Sequence, residues 1–271
     1  MTELADRLSG AWNFRDVTQS TGGAIAPGRL YRSGELTQLD DAGLGQLAQL
    51  RVTDVADLRS PGEVERHGAD LVPTGVDVHL LPFHEVVVAV DGEAPHEHAF
   101  QRLLTERPDD ESVLEAGRRY MVEEYRRFAQ LPGARRAVHR MATLLGAGGS
   151  VLTHCFAGKD RTGFSVAVLL EAAGLGQDVI MADYLHSNAA IPQLREQIMT
   201  MIRSRLDDGM RPEAAEFTEV QLSDEVLGVR PEYLEAAWKT VREDYGSIPG
   251  YLQASGLTAA DIDALRTALL G

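Results

Sequence analysis

The sequence contains a single cysteine, Cys155, among its 271 residues. A lone cysteine cannot form a disulfide within the chain, and it leaves no set of cysteines that could bind zinc. No stretch of about 18 consecutive apolar residues is present, so no integral membrane segment is predicted. The N-terminal residues also lack the short apolar core of a secretory signal. These absences predict a soluble protein that is cytoplasmic or is secreted by a route without a visible signal peptide.

Basic residues are scarce relative to acidic ones. There are 26 Lys and Arg residues and 41 Asp and Glu residues, which gives a formal net charge of −15. Nucleic-acid binding requires a basic surface, so a nucleic-acid partner is not expected. An anionic substrate would need a locally basic pocket within this acidic protein. The sequence does not indicate an oligomeric state.

Short apolar segments alternate with helical segments over roughly the first 175 residues. Since strands that alternate with helices pair in parallel, this pattern predicts an α/β fold with a central, largely parallel sheet flanked by helices. The remaining third of the chain has helical periodicity almost throughout. No composition resembling a linker separates the two parts, so one domain over residues 1–271 is predicted.

Three local patterns give more specific expectations. Thr37 and Asp40 have the spacing of a capping box at the start of a helix. The apolar alternation at residues 76–80 predicts a half-buried strand. Residues 85–110 have little regular periodicity, and we expect them to form a long surface loop.

The cysteine lies in the stretch THCFAGKDRTG, residues 153–163, between a predicted strand and a predicted helix. Loop amides and a helix N-terminus together form a ready anion-binding site. Gly158 and Gly163 allow the backbone to approach a ligand closely. The planar guanidinium of Arg161 matches two oxygens of a phosphate group. The predicted phosphate-binding residues are Phe156, Ala157, Gly158, Lys159, Arg161 and Thr162.

The same positive charge would act on the cysteine. Loop amides together with Lys159 and Arg161 favour the thiolate form of Cys155. A thiolate beneath a bound phosphate can attack phosphorus and form a phosphocysteine, which water then hydrolyses. The hydroxyl of Thr162 is expected to hydrogen-bond the sulfur. The alternative, a buried cysteine that acts as a small apolar residue, does not explain its polar neighbours. This chemistry requires neither a cofactor nor a metal.

The stretch HCFAGKDRTG resembles the signature loop of the cysteine-dependent protein tyrosine phosphatases. Further similar stretches, such as GAWNFRDV, GRLYRSGEL, DVADLRS and ADYLHSN, extend the resemblance over nearly the whole chain. It implies a tyrosine-phosphatase fold that acts on phosphotyrosine, with activity also on phosphoserine, phosphothreonine and phosphoinositides. The expected partners are therefore phosphorylated proteins and phosphoinositides as substrates. The alternative is a phosphoinositide phosphatase with little protein activity.

The proton donor is less clear from the sequence. Most tyrosine phosphatases use the aspartate of a Trp-Pro-Asp loop, but neither tryptophan here is followed by proline. The resemblance implies that Asp160 is the general acid. The alternatives are that Asp160 forms an ion pair or shapes the loop, and that Glu85 or Asp91 supplies the proton.

Other residues have two interpretations each. Lys159 either attracts a second phosphate, as the resemblance of AGKxRTG to phosphoinositide phosphatases implies, or helps to hold one. Asp57, Arg59 and His154 either support the site or form structural contacts. The stretch NFRDV, residues 13–17, either supports the site or locks the N-terminal segment. Residues 192–222 are predicted to be helices that pack on the domain or, as the resemblance implies, form a lid over the pocket.

Overall fold

The fold is built around one five-stranded sheet. A computed structural model describes residues 7–84, 111–207 and 223–271, without the side chains of residue 113 and residues 201–207. Within these ranges the strands follow the order β1-β2-β5-β3-β4, and only the β1–β2 pair is antiparallel. The prediction of a largely parallel sheet is confirmed. The strands are β1 (Arg15–Asp16), β2 (Leu30–Ser33), β3 (Asp54–Asp57), β4 (Asp77–Leu80) and β5 (Val151–His154).

Helices account for most of the remaining described residues. The regular elements after residue 223 are all helices, in line with the prediction of an almost wholly helical final third. A short 3-10 helix, Ser187–Ala190, joins two of them. The helices are α1 (Val17–Ser20), α2 (Asp41–Gln49), α3 (Pro61–His67), α4 (Val113–Gln130), α5 (Pro132–Gly146), α6 (Asp160–Ala173), α7 (Gln177–His186), α8 (Ile191–Asp207), α9 (Asp224–Leu227), α10 (Pro231–Tyr245), α11 (Ile248–Ala254) and α12 (Ala259–Leu270).

Two apolar cores lie on opposite faces of the sheet. Successive side chains of a strand point to opposite faces, so Val151 joins the larger core and Leu152 the smaller one. The larger core also contains side chains from α4, α5, α6 and the three C-terminal helices. The smaller core packs α2 against the other face, through the buried Leu47. The helices thus fix the sheet, and with it the carboxyl ends of its strands.

Helix ends follow local capping chemistry, with one correction to the prediction. Helix α2 begins after Asp40, whose side chain accepts a hydrogen bond from the Gly43 amide. The predicted capping box beginning at Thr37 is therefore wrong, because the aspartate three residues later is the cap. Helix α6 ends at Gly174, which adopts the left-handed conformation that glycine favours.

Strand β4 differs from the expected half-buried strand. Val78 and Leu80 are 45% and 44% exposed. The alternating pattern did predict a strand, but β4 lies at the edge of the sheet and pairs with β3 alone. A strand at an edge can keep the alternating pattern while its apolar side chains remain exposed.

Several predictions fall on parts of the chain that are not described. Glu85, Asp91 and the expected loop at 85–110 lie outside the described residues, as does the end of the predicted lid, 208–222. Among the described helices, none is both long enough and apolar enough to span a membrane.

The C-terminal helices are expected to unfold together with the sheet, because they share its larger core. Leu265 on α12 is fully buried in that core, whereas Leu270 on the same helix is 51% exposed. We expect Leu265→Ala to lower the free energy of unfolding by about 2–5 kcal/mol. The matched Leu270→Ala should change it by less than about 0.5 kcal/mol.

Urea unfolding followed by circular dichroism and by tryptophan fluorescence would measure both variants. Coincident transitions are expected for a single domain. Two separate transitions, or equal effects of the two substitutions, would contradict the prediction.

Candidate active site

The cysteine loop, residues 155–161, connects the central strand β5 to the N-terminus of helix α6. Cys155 follows His154, the last residue of β5, and is only 2% exposed. Helix α6 starts at Asp160 and runs for 14 residues, so its positive end lies in the loop. Strands β2 and β3 flank β5 in parallel, and their carboxyl ends meet at this edge of the sheet. Such an edge is where α/β proteins bind ligands.

Three successive carbonyl groups of the loop are held by hydrogen bonds from the protein. The Phe156 carbonyl accepts a bond from the Glu35 amide, with 3.0 Å between the two atoms. The side-chain amide of Asn13 donates to the carbonyls of Ala157 and Gly158, at 3.1 and 2.9 Å. A trans peptide group holds its C=O and N–H on opposite sides. The next three N–H groups therefore point away from the donors that hold these carbonyls.

Gly158 is required by the close approach of the loop to strand β2. Its φ of 67° lies in the left-handed region. A Cβ atom at this position would lie 2.0 Å from the carbonyl oxygen of Ser33 and 2.6 Å from the amide nitrogen of Gly34. Both contacts are with backbone atoms, which cannot move aside independently. Only glycine fits, as the sequence predicted for a loop that curls around a ligand.

Arg161 is clamped by a carboxylate that the sequence analysis missed. Its two terminal nitrogens donate to the two oxygens of Glu63, at 2.8 and 2.7 Å. Burial opposes the charge of Arg161, but Glu63 and Cys155 raise its pKa well above its usual value. Glu63 also accepts the amide of Ser60 in a capping box that starts α3. The S-x-x-E spacing was therefore the available signal, although it indicates the cap and not the ion pair.

Asp160 accepts hydrogen bonds from two neighbours. The Tyr125 hydroxyl donates to it at 3.0 Å, and the Tyr184 hydroxyl donates to Tyr125 at 2.8 Å. The ammonium of Lys159 lies 3.0 Å from its other carboxylate oxygen. The Asp160 side chain remains 22% exposed, so it is fixed in place but not sealed from solvent.

Lys159 is buried, which the sequence analysis did not anticipate. Besides Asp160, its ammonium donates to the carbonyl oxygens of Val226 and Gly228, at 2.5 and 3.2 Å. In this arrangement the charge joins the cysteine loop to the segment around α9. To contact a second phosphate, Lys159 would have to exchange these acceptors for phosphate oxygens.

A further carboxyl group near the loop was also missed. Glu124 on α4 is buried, and burial raises its pKa, while Arg127 at 2.7 Å lowers it in part. Asp160 also raises the pKa of Glu124 and Arg161 lowers it, so the three groups interact electrostatically. A carboxyl group with a raised pKa is suited to donate a proton.

A buried ionic network lies behind Cys155. The Nε2 atom of His154 is 2.8 Å from Asp70, and the guanidinium of Arg59 contacts Asp57, Asp70 and Glu35 at 2.8, 2.8 and 3.3 Å. Asp57, Asp70 and His154 are close enough together to bind a cation. However, Arg59 already supplies positive charge to both aspartates. The structure thus brings together Asp57, Arg59 and His154, which the sequence analysis left as supporting residues.

Helix α8 packs on the outer part of the loop. Leu194 is buried in a small apolar cluster with Ala157 and Leu227, against which Phe156 and Ile198 also pack. These contacts place the first half of the predicted lid directly against the cysteine loop. The hydroxyl of Thr162 is buried and has no hydrogen-bond partner within the described ranges. The predicted bond from Thr162 to Cys155 is therefore not seen.

The chain matches known proteins over nearly its full length. The model of the tyrosine phosphatase family matches residues 7–271. The triple specificity protein phosphatase PtpB of Mycobacterium tuberculosis is 55% identical over 97% of this chain and 98% of its own. A candidate tyrosine-protein phosphatase of Cupriavidus necator is 31% identical over 92% of this chain and 81% of its own. A tyrosine-protein phosphatase of Nostoc commune is 26% identical over 91% and 76%.

The pKa of His154 is expected to depend on Asp70. Burial lowers the pKa of His154. The charge and the hydrogen bond of Asp70, together with the charge of Asp57, raise it, and the net pKa lies above its usual value. Asp70→Asn leaves burial without the charge of Asp70, so the pKa of His154 should fall. NMR titration of the ring protons would measure it.

Asp54→Asn is the matched control, because it removes a carboxylate 2.7 Å from a different histidine, His79. The pKa of His154 should stay unchanged in this variant. An unchanged pKa of His154 in Asp70→Asn would show that the 2.8 Å contact does not govern its protonation.

Proposed function

This chain belongs to the tyrosine phosphatase family and is a phosphatase, and on that premise we propose that Cys155 hydrolyses phosphate monoesters through a phosphocysteine intermediate. Arg161 and the amides of the cysteine loop would hold the phosphoryl oxygens. Asp160 would exchange the proton with the leaving group.

In the first step, the sulfur of Cys155 attacks phosphorus. The S–P bond forms as the bond from phosphorus to the ester oxygen breaks, and that oxygen takes the proton of Asp160. The conjugate carboxylate is then stabilised by the hydrogen bond from Tyr125 and by the ammonium of Lys159, which already contact it.

In the second step, water attacks the phosphocysteine. The new P–O bond forms as the S–P bond breaks, the carboxylate of Asp160 takes a proton from the water, and inorganic phosphate leaves with the thiolate restored. Negative charge on the transferred group is spread over three oxygens in both steps. The loop amides and Arg161 would donate hydrogen bonds to these oxygens.

The observation that carries this proposal is the direction of the loop peptides. The carbonyls of residues 156–158 are all held by protein donors, so the following amides are oriented before substrate binds. They lie at the positive end of α6, next to the clamped Arg161. A cradle of fixed donors around one buried cysteine suits attack on a phosphate ester better than the alternative role of a small apolar core residue.

We propose phosphotyrosine in proteins as the main substrate, with phosphoserine, phosphothreonine and phosphoinositides also accepted. Support comes from the 55% identity to a relative named for triple specificity. The alternative, a phosphoinositide phosphatase with little protein activity, is not favoured, since the relatives are named as protein phosphatases. The buried position of Lys159 favours a role in joining the loop to α9 over permanent contact with a second phosphate.

Substrate panels would test this proposal. Wild type should hydrolyse phosphotyrosine peptides and, more slowly, phosphoserine peptides and phosphoinositide vesicles, and Cys155→Ser should be inactive on all of them. Turnover by Cys155→Ser would refute the nucleophile. If Lys159 contacts a second phosphate, Lys159→Ala should reduce bisphosphorylated lipid turnover about 10-fold more than peptide turnover.

Equal losses in Lys159→Ala would assign Lys159 to the loop alone. Lys239→Ala removes an exposed lysine that pairs with Glu243 on α10, and it is the matched control. It should leave every rate unchanged.

The proton donor can be identified by varying the leaving group. If Asp160 is the acid, Asp160→Asn should lose about 10²–10⁴-fold of kcat on phenyl phosphate. The loss should be much smaller on p-nitrophenyl phosphate, whose leaving group needs little protonation. Glu124→Gln should lose similar amounts on both. The reverse pattern would reassign the proton donor to Glu124.

A further inference from the structure

A second buried ionic cluster lies on the side of the cysteine loop opposite the proposed substrate. The carboxylate of Asp183 on α7 accepts hydrogen bonds from Arg15 at 3.0 Å and from Arg32 at 2.5 Å. The hydroxyl of Ser20 donates to it at 2.6 Å. Asp183 and both arginines are at most 3% exposed. Two arginines therefore share one carboxylate, and the cluster keeps one net positive charge.

The charges of this cluster persist at neutral pH. Burial opposes ionisation of Asp183, but its two arginines hold its pKa well below the usual range. Burial and repulsion by Arg32 lower the pKa of Arg15 to about 10, and Asp183 limits the fall. Removing either arginine charge would leave the carboxylate poorly paired, so these side chains are held firmly in place.

Arg15 fixes the orientation of the Asn13 side chain. Its guanidinium donates to Oδ1 of Asn13 at 2.7 Å. Because Oδ1 is occupied as an acceptor, the NH2 group of Asn13 must face the other way. It donates there to the carbonyls of Ala157 and Gly158.

Arg32 connects Asp183 to the Gly158 carbonyl directly, without Asn13. One of its terminal nitrogens binds Asp183, and the other donates to the carbonyl of Gly158 at 2.9 Å. That nitrogen is also 3.4 Å from the carbonyl of Lys159. Both chains of hydrogen bonds, one through Arg15 and Asn13 and one through Arg32, start at Asp183. They end on the carbonyls that precede the loop amides.

We propose that Asn13 and Arg32 are positioning residues that orient the amides of the cysteine loop, and that Asp183 holds both in register. This inference rests on the proposed role of these amides in binding the phosphoryl group. Each carbonyl that accepts a bond from Asn13 or Arg32 turns the next N–H toward the phosphoryl oxygens. The amides therefore need little reorganisation when charge develops in the transition state.

The competing interpretation is that NFRDV only locks the N-terminal segment. It predicts lower stability with unchanged catalysis, whereas a positioning role predicts weaker transition-state binding. Asn13 has a φ of 53°, and the one other described non-glycine residue with positive φ is the exposed Arg51, at 56°. Glycine adopts this conformation without strain, so Asn13→Gly and Arg51→Gly form a matched pair.

The experiment compares kcat and KM on p-nitrophenyl phosphate, and inhibition by orthovanadate, a transition-state analogue. Asn13→Gly should lower kcat about 10–100-fold, because the amides of the cysteine loop would be misaligned but still present. KM should change by less than about 3-fold, and vanadate inhibition should weaken in parallel with kcat. Arg51→Gly should match wild type in all three. Unchanged kcat and vanadate inhibition in a folded Asn13→Gly would overturn the proposal.

A second pair of variants tests the positioning role independently of Asn13. Arg32→Lys cannot bind Asp183 and the Gly158 carbonyl together, so it should show the same split between kcat and KM. Its control is Arg266→Lys, which alters a guanidinium that donates to the Ala172 carbonyl near the far end of α6, at 2.7 Å. Equal kinetics in these two variants would also overturn the proposal. Failure of the proposed function is distinct, because it would appear as turnover by Cys155→Ser.

Discussion

The direction of a few peptide groups is the constraint on which the rest of the site depends. A carbonyl oxygen carries partial negative charge and repels an anion. A loop that binds an anion therefore has to turn its carbonyls away from the ligand and give each of them a hydrogen-bond donor. The side chain of Asn13 does this from the N-terminal segment, and the side chain of Arg32 and the amide of Glu35 do it from strand β2 and the residues just after it. Strand β2 and helix α7 are then required where they are, because they carry Arg32 and Asp183.

Local charge in this acidic protein is arranged by pairing buried ions around the loop. Glu63 clamps Arg161, Asp70 contacts His154, and Asp183 joins two arginines. Burial removes the hydration of both charges in each pair. The free-energy cost of this desolvation is offset only when the hydrogen-bond geometry between the partners is good. The presence of such pairs is therefore weak evidence of added stability. The net charge of −15 therefore says little about the potential at Cys155, which depends on side chains within a few ångströms.

The sheet, the helical C-terminal part and the cysteine loop were predictable because each leaves a local pattern. Alternation gives strands, and the glycines and arginine after Cys155 give the loop. Glu63 and Asp183 were not assigned a role, and the role of Asn13 was left open. Glu63 lies 98 positions from Arg161, Asn13 lies 144 from Ala157, and Asp183 lies 168 from Arg15, so only the fold brings these partners together. Two predictions were wrong, the cap at Thr37 and the half-burial of β4. In both cases the local sequence pattern is compatible with two structures, and tertiary packing decides between them.

The single cysteine also gives the protein only one redox-active thiol. A sulfenic acid formed at Cys155 has no thiol partner in the chain, so its reduction must begin with a thiol from another molecule. The same isolation makes the sulfur a stoichiometric reporter. One equivalent of a thiol-selective alkylating reagent would therefore modify Cys155 alone and count the molecules whose sulfur is reduced.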